Sequence, residues 1–475
     1  MNEPARAFPG ASRAVVIGGG LTGMLAAQAL SGFVSDVIVL EHDYLPARPA
    51  PRKGLPQAHH GHLFYSGGVN AMEIIVNGVT DRLLRAGARR IPLPTGMLAY
   101  SPEGWYRRWP ATHFLLACSR DLIDFTVREL VAAEPNIHIL QGVTAVGLDG
   151  TERRVSGVRV SDGQDEGVLD AQVVVDTSGR GSRAPQWLRD LGVGPVPERT
   201  VDTGLAYASR IYQAPADSEE FPVVTVMADP LAHGPGQSAA IIPIEGGRWL
   251  VSLAGTRGGE PTDDPLRFEA FAGGLRHPLV GQLISPAVPL TDVVVTRSTG
   301  NRRRYFEKVK TWPEGFVAVG DTVATYNPVY GQGMSVAAKS VLAMLQELCC
   351  GGARIDGFAQ RAQRAVAKPV HTAWSLATAQ DVLYTGAGRQ SSGRAARLRA
   401  RYSSRLARAA TGSHHVTTAL TDVMTLQSDV TTLVRPYMML AALRKPLLPP
   451  LTAPPLTRSE RRLLTSPEIP GRQSV

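Results

Sequence analysis

Four apolar residues, Ala14-Val15-Val16-Ile17, run directly into Gly18-Gly19-Gly20-Leu21-Thr22-Gly23, the pattern of a buried strand ending in a tight turn. Residues 24–30, rich in Ala and Leu, read as a helix, and Val37-Ile38-Val39-Leu40 as a second strand that delivers Glu41 at its end. Val173-Val174-Val175 repeats the buried-strand pattern and leads into Asp176-Thr177-Ser178-Gly179-Arg180-Gly181-Ser182-Arg183. Another such strand, residues 315–319, ends in Gly320-Asp321; a loop with Asn327-Pro328 follows, then Gly331-Gln332-Gly333-Met334 and a helix predicted over 335–348. Between these lie segments of strand type: 221–227, then 239–244 and 249–253 joined by Glu245-Gly246-Gly247, a hairpin signal. From 363 to about 443 the pattern is helical, and the Pro-rich stretch 446–475 is predicted to be poorly ordered. No internal repeat is present.

Composition narrows the classes. The 475 residues are 44% hydrophobic, 19% charged and 6% aromatic, enough for sizeable cores. Cys118, Cys349 and Cys350 form neither a disulfide framework nor a zinc pattern, and no apolar run reaches bilayer length. No apolar leader precedes the first strand, so a cytoplasmic protein without a membrane span is expected. Six of the 50 basic residues are lysine, so the net charge of +9 is an arginine excess of the kind GC-rich codon usage imposes. Basic residues are not interleaved with aromatics, which argues against nucleic acid as a partner. One cluster stands out: Arg389, Arg394, Arg397, Arg399, Arg401, Arg405 and Arg408.

The chemistry begins at the first turn. Strand, G-x-G-x-x-G, helix, strand and an acid 18 residues after the last glycine make a dinucleotide-binding fingerprint in its required context. Gly18 permits the turn, Gly20 lets a pyrophosphate approach, Gly23 allows helix–strand packing, and the N-terminus of the helix that follows offers N–H groups to phosphate. Glu41 is placed to accept from a ribose. The segment from Gly320-Asp321 to Met334 resembles the second flavin signature of FAD monooxygenases, where the aspartate holds the ribityl chain. A helix starting after Gly331 can stabilise negative charge on a reduced flavin. Asp176 and its turn resemble the middle motif of that class, and Arg120, opening a helix predicted over 121–131, its cofactor-reaching arginine. Val143 is expected in a strand beside the adenine. No second G-x-G-x-x-G lies in a strand–turn–helix context, so electrons would come from a transient NAD(P)H or a separate flavin reductase, with O2 as co-substrate.

Arg52-Lys53-Gly54-Leu55-Pro56-Gln57-Ala58-His59-His60-Gly61-His62 invites a metal reading, but no carboxylate or cysteine cluster accompanies it. It resembles instead the Arg-x-Gly-x-Pro-Gln-x-x-His-x-His loop of a bacterial group of FAD monooxygenases, where it approaches the flavin. The likeness continues through Asp263-Asp264-Pro265, residues 301–305, 327–334 and 374–378, to about residue 440. Within that group the chain looks most like the flavin epoxidases of polyether ionophore biosynthesis, of the monensin and lasalocid type. The resemblance implies epoxidation of alkenes on a long linear polyene polyketide through a flavin C4a-hydroperoxide, in polyether antibiotic biosynthesis. It also implies the para-hydroxybenzoate hydroxylase-like architecture: an α/β Rossmann-like FAD-binding domain (1–65, 116–190, 303–362), an inserted mixed or antiparallel β-sheet substrate domain (66–115, 191–302), a helical C-terminal region (363–445) and the tail. The expected cofactor residues are Gly18, Gly20, Leu21, Thr22, Gly23, Glu41, His42, Arg52, Gln57, Arg120, Val143, Asp176, Gly320, Asp321, Pro328, Gly331, Gln332, Gly333 and Met334. No catalytic dyad is identified; an alkene attacking electrophilic oxygen needs no base, whereas a phenol hydroxylase gains from one. The apolar substrate would be free or carried by an acyl carrier protein docked on the arginine cluster. Hydroxylation of an aromatic or other apolar molecule, and alkene reduction as in prenyl reductases, remain open. A flavin-binding regulator or scaffold without turnover is disfavoured by the redox-side helix after Gly331. A tryptophan-type halogenase fits less well, because 105–110 lacks the Trp-x-Trp-x-Ile-Pro pattern and no lysine lies between Lys53 and Lys308.

Overall fold

The computed structural model describes residues 12–351, 356–384 and 394–465. The apolar runs of the sequence pair as anticipated. A five-stranded parallel sheet has the order Phe316–Ala318, Val173–Asp176, Arg13–Ile17, Asp36–Glu41, Ile137–Gln141. Its strands are continuous apolar runs because helices cover them, as parallel sheets require. Val15, Val37, Val174 and Val317 are fully buried, packed with Leu25 and Leu30 of the helix Leu21–Ser31 and Val341 and Met344 of the helix Gly333–Gly351. Both helices begin two or three residues earlier than the apolar pattern predicts, so Gly23, Gly333 and Met334 lie inside helices. The chain also builds a three-stranded meander over Thr144–Gly150, Val155–Ser161 and Glu166–Asp170.

A second, eight-stranded sheet runs Ala324–Thr325, Val294–Arg304, Glu198–Gln213, Arg248–Gly255, Gln237–Ile244, Val223–Val226, Met97–Ser101, Gly104–Trp105. Pairing is antiparallel except between Val223–Val226 and Met97–Ser101. The anticipated hairpin turns at Gly246 (φ 75°) and Gly247 (φ 63°), consecutive left-handed residues that suit a tight hairpin. Alternation sorts the two faces. Trp249, Val251 and Leu253 pack under the helices Pro265–Gly273 and Leu279–Ile284, with Phe268, Leu279 and Leu283. The intervening residues, Leu250 and Ser252, point the other way, towards the loop that carries His60.

The helical region comprises Phe358–Asp381, Arg394–Thr411, His414–Met424 and Pro436–Leu443; Arg389 of the arginine cluster lies outside the described residues. The expectation of a disordered tail is corrected as far as residue 465. Leu456 and the partly buried Leu451, Leu463 and Leu464 join the core beneath the large sheet, and Arg458–Thr465 is helical. Glu460, buried, binds Arg108 through both carboxylate oxygens at 2.7 Å. Prolines at 449, 450, 454 and 455 mask leucines whose burial anchors the segment.

Candidate functional site

Three turns separated by some 300 residues of chain are tied together at the carboxyl ends of the parallel strands, where open α/β sheets bind ligands. The Thr177 hydroxyl donates to the carbonyls of Ile17 (2.8 Å) and Gly18 (3.0 Å). Gly179 N–H donates to Thr322 Oγ1 at 3.0 Å. A Cβ on Gly320, whose φ is +70°, would sit 2.8 Å from the Thr22 side chain. Arg304, buried, spans the last two turns by donating to the carbonyls of Thr322 and Ser182, both at 3.1 Å. Asp176 is fully buried and spends its carboxylate on its own turn, accepting from Ser178 N–H, Ser178 Oγ and Ser182 Oγ. Burial raises its pKa despite those donors. Its role is to shape the turn.

Gly18 has φ +99° and Gly23 packs so close that a Cβ would fall 1.8 Å from the Gly18 carbonyl oxygen. The helix that follows has Gly20 at its N-cap with no side-chain cap, so the N–H groups of Leu21, Thr22 and Gly23 face the turn unclaimed by a capping side chain. Glu41, buried, accepts from Gly19 N–H (3.0 Å), Arg52 Nη1 (2.9 Å) and Asp43 N–H (3.0 Å). Arg52 Nε is buried without a protein partner, and Nη2 lies 3.4 Å from a Cβ built on Gly20. His42 reaches the Glu41 carboxylate at 3.0 Å but is largely solvent-exposed. Val143 N–H donates to the Glu41 carbonyl, just beyond the strand Ile137–Gln141.

Arg120 opens the helix Arg120–Ala132 and pairs with Asp124 at 2.8 Å. A cation at a helix start is unfavourable unless anions surround it, and Arg120 also acts on Asp321. Burial pushes the Asp321 carboxyl up, while Arg120 and Arg180 pull it down. On the far side, Pro328–Tyr330 form one 3-10 turn, Gly331 follows at φ +64°, and the long helix starts at Gly333, where a Cβ would meet open space. Gln332 is buried; its Nε2 donates to the Met424 carbonyl at 3.0 Å and its Oε1 has no protein partner. Met334 is buried behind it.

The histidine run does not converge on one point. His60, 2% exposed, uses Nδ1 on Ser209 Oγ (2.9 Å) and Nε2 on Thr296 Oγ1 (2.7 Å). Ser209 continues to Ser252 Oγ (2.6 Å), which accepts from Gly61 N–H (2.8 Å). The loop is thereby sewn onto the large sheet. Burial, helped by His59, lowers the His60 pKa from 6.5 to about 4. His62 bonds the Gln57 carbonyl at 2.8 Å and is lowered to about 3, chiefly by burial and then by Arg120.

One cluster is built around a residue the sequence does not single out. Asp381, buried at the end of the helix Phe358–Asp381, accepts from the Asn301 and Asn327 amides and from Tyr330 Oη (2.6 Å). Asn327 N–H donates to Asn301 Oδ1 at 2.9 Å. These bonds fix the 327–330 turn from behind. Burial, with Asp381 nearby, holds the Tyr207 and Tyr330 phenols well above their ordinary pKa. Asn301, Asn327 and Tyr330 lie in stretches the sequence singles out, but no local signal marks Asp381.

No family profile matches the chain. Protein Rv3254 of Mycobacterium tuberculosis (strain ATCC 25618 / H37Rv) is 29% identical over 391 residues, which cover 78% of this chain and 80% of that protein. Among solved structures, the flavin-dependent brominase Bmp2 superposes with a TM-score of 0.63 at 13% identity, covering 87% of this chain and 94% of its own. PqsL of Pseudomonas aeruginosa, a probable FAD-dependent monooxygenase, gives 0.59 at 17% identity, over 80% and 98%. The myxobacterial chondrochloren halogenase CndH, a variant of FAD-dependent halogenases, gives 0.59 at 17%, over 87% and 97%. With its parallel sheet, inserted mixed sheet and helical C-terminal region, the chain has the fold of the FAD-dependent monooxygenases and halogenases.

Proposed function

We propose that this chain is an FAD-dependent monooxygenase that epoxidises alkenes of a long apolar polyene of polyketide type. The observation that carries the flavin part is the stapling of three turns around an uncapped helix start, beside a half-buried arginine whose Nε is buried without a protein partner. That donor set suits an anionic dinucleotide: the N–H groups of residues 21–23 and Arg52 for the pyrophosphate, Glu41 for a ribose, Arg120 and Asp321 for the linking chain, and the start of the helix Gly333–Gly351 for the ring end. Bound and reduced, by NAD(P)H directly or through a separate flavin reductase, FAD would supply oxygen activation.

The chain's own task is to position the alkene and exclude water. Epoxidation is supported by the loop from Arg52 to His62 and by its chemistry here. Both ring nitrogens of His60 are committed to hydroxyls, and His60, Tyr207 and Tyr330 all hold their neutral forms at pH 7. An alkene taking up electrophilic oxygen asks for no general base, and these groups offer none poised near neutrality. The likeness to Bmp2 and CndH favours halogenation as the second reading.

Purified protein is incubated with FAD, a flavin reductase, NAD(P)H, O2, halide and a simple polyene, and products are read by mass. Gain of one oxygen per alkene is expected. Halogen incorporation selects the second reading, alkene reduction without O2 selects a reductase, and failure to take up flavin overturns the proposal.

A further inference from the structure

Seven large apolar side chains within 434–448 are exposed: Val434, Tyr437, Met439, Leu440, Leu443, Leu447 and Leu448, with Leu443 at 74% and Leu447 at 81%. They make up seven of the seventeen such side chains among the described residues, so the concentration is not the ordinary scatter of surface leucines. The helix Pro436–Leu443 buries Met438 and Ala442 against Leu406, Ala409 and Ala410 of the helix Arg394–Thr411. Tyr437, Leu440 and Leu443 recur every three residues and share its outer face. Exposed Arg435, Arg444 and Lys445 flank them.

The arginine helix has a face of its own. Arg394, Arg397, Arg401, Arg405 and Arg408, spaced three or four apart, form one exposed stripe, and no acid occurs in Arg394–Thr411. Between 394 and 459 the chain carries ten Arg and Lys against Asp422 and Asp429, so eight of the nine net positive charges sit in this segment. No acidic residue falls between Asp429 and Glu460.

We infer that this surface attaches the protein peripherally to an anionic lipid bilayer. The apolar face of Pro436–Leu443 and the 443–448 segment would enter the headgroup–acyl boundary, and the arginine stripe would engage lipid phosphates. Charge decides among occupants. A second copy would bring one net +8 segment against another, whereas a negatively charged surface is attracted, and exposed leucines and a tyrosine among basic residues suit an interface that is apolar below and anionic above. The inference stands whichever reaction the site performs. It requires no spanning helix, and no described helix is long and apolar enough to cross a membrane.

The full chain is floated with vesicles of phosphatidylcholine alone and of phosphatidylcholine mixed with phosphatidylglycerol. Binding to the anionic vesicles only, released by salt, is expected. Leu440→Asp with Leu443→Asp and Leu447→Asp, all at exposed positions, should abolish it. Arg397→Glu with Arg401→Glu and Arg405→Glu should weaken it at least about tenfold. No binding of the wild-type chain to anionic vesicles at low salt overturns the inference. So does a dimer dispersed by the leucine substitutions, or retention on an acidic acyl carrier protein without vesicle binding.

Discussion

His60 ties the loop of 52–62 to the large sheet, and its protonation should loosen the molecule in a defined pH window. In the folded chain its pKa falls from 6.5 to about 4, because burial removes water from the imidazolium and neighbouring His59 disfavours a second positive charge. The folded chain therefore binds fewer protons than the unfolded chain between those values, and stability falls as pH falls. The contribution is full above pH 6.5, is reduced by about 2 kcal/mol at pH 5, and is reduced by about 3 kcal/mol at pH 4. The ring is buried, so little of this is screened. His60→Gln keeps a neutral side chain able to bond Ser209 or Thr296 but cannot titrate. Urea unfolding of both proteins at pH 7, 6 and 5 isolates the effect, because His62 shifts in the same direction in each and largely cancels in the difference. The wild type should lose about 2 kcal/mol more than the variant between pH 7 and 5. Equal losses would show that the imidazole is not held neutral by its surroundings.

Glu41→Gln leaves the half-buried Arg52 beside a neutral amide; FAD affinity by titration should weaken by about 1–3 kcal/mol, and an unchanged value removes Glu41 from the site. Asp381→Ala strands two amides and a phenol that now share one carboxylate, at about 1–3 kcal/mol for each orphaned donor, whereas Asp381→Asn keeps an acceptor. Denaturant midpoints should therefore rank wild type, Asn, Ala, and equal stability of Ala and Asn would contradict the network. Gly23→Ala places a methyl 1.8 Å from the Gly18 carbonyl oxygen and should abolish flavin uptake. Gly32→Ala, with nothing within 4 Å and a right-handed φ of −76°, should change the melting point little. If the oxygenation reading holds, the single-turnover rate of product formation should be flat from pH 6 to 8, and a bell with arms in that range would expose a base absent from this account.

The parallel sheet was legible because its determinants are local. Apolar runs of three or four residues lead into turns where Gly18, Gly179 and Gly320 all have positive φ, conformations that other residues take at a penalty. The hairpin at Gly246-Gly247 was legible for the same reason. What escaped is non-local. His60 finds its partners 149 and 236 residues away, and Asp381 gathers donors 51, 54 and 80 residues before it, distances over which periodicity carries no information. The tail escaped differently. Proline content argued for disorder, while the burial of Leu456 and Glu460 depends on Arg108 and a core assembled from elsewhere. Helix starts lie earlier than the apolar pattern implies because Gly23 and Gly333 look like turn residues, although both belong to the first turns of their helices.

The two ends of the site obey different electrostatic rules, and the difference constrains what reaction it can host. Around the first turn, fixed charges meet in partial burial: Glu41 with Arg52, and Asp321 with Arg120 and Arg180. Such an arrangement holds an anion and sets its orientation, since each charge has a counter-charge that would otherwise be unpaired away from water. Around the large sheet the opposite holds. His60, His62, Tyr207 and Tyr330 are ionisable, yet burial moves every one of them away from neutrality in the direction that keeps it uncharged. Acid–base catalysis works best with a group whose pKa lies near the working pH, so this end is poorly built for proton transfer. On the proposed reading, this end would instead orient the substrate, with oxygen activation supplied by the bound cofactor. Asp381 fits this division: buried near that end, its carboxylate spends its acceptors on Asn301, Asn327 and Tyr330 and so braces the turn.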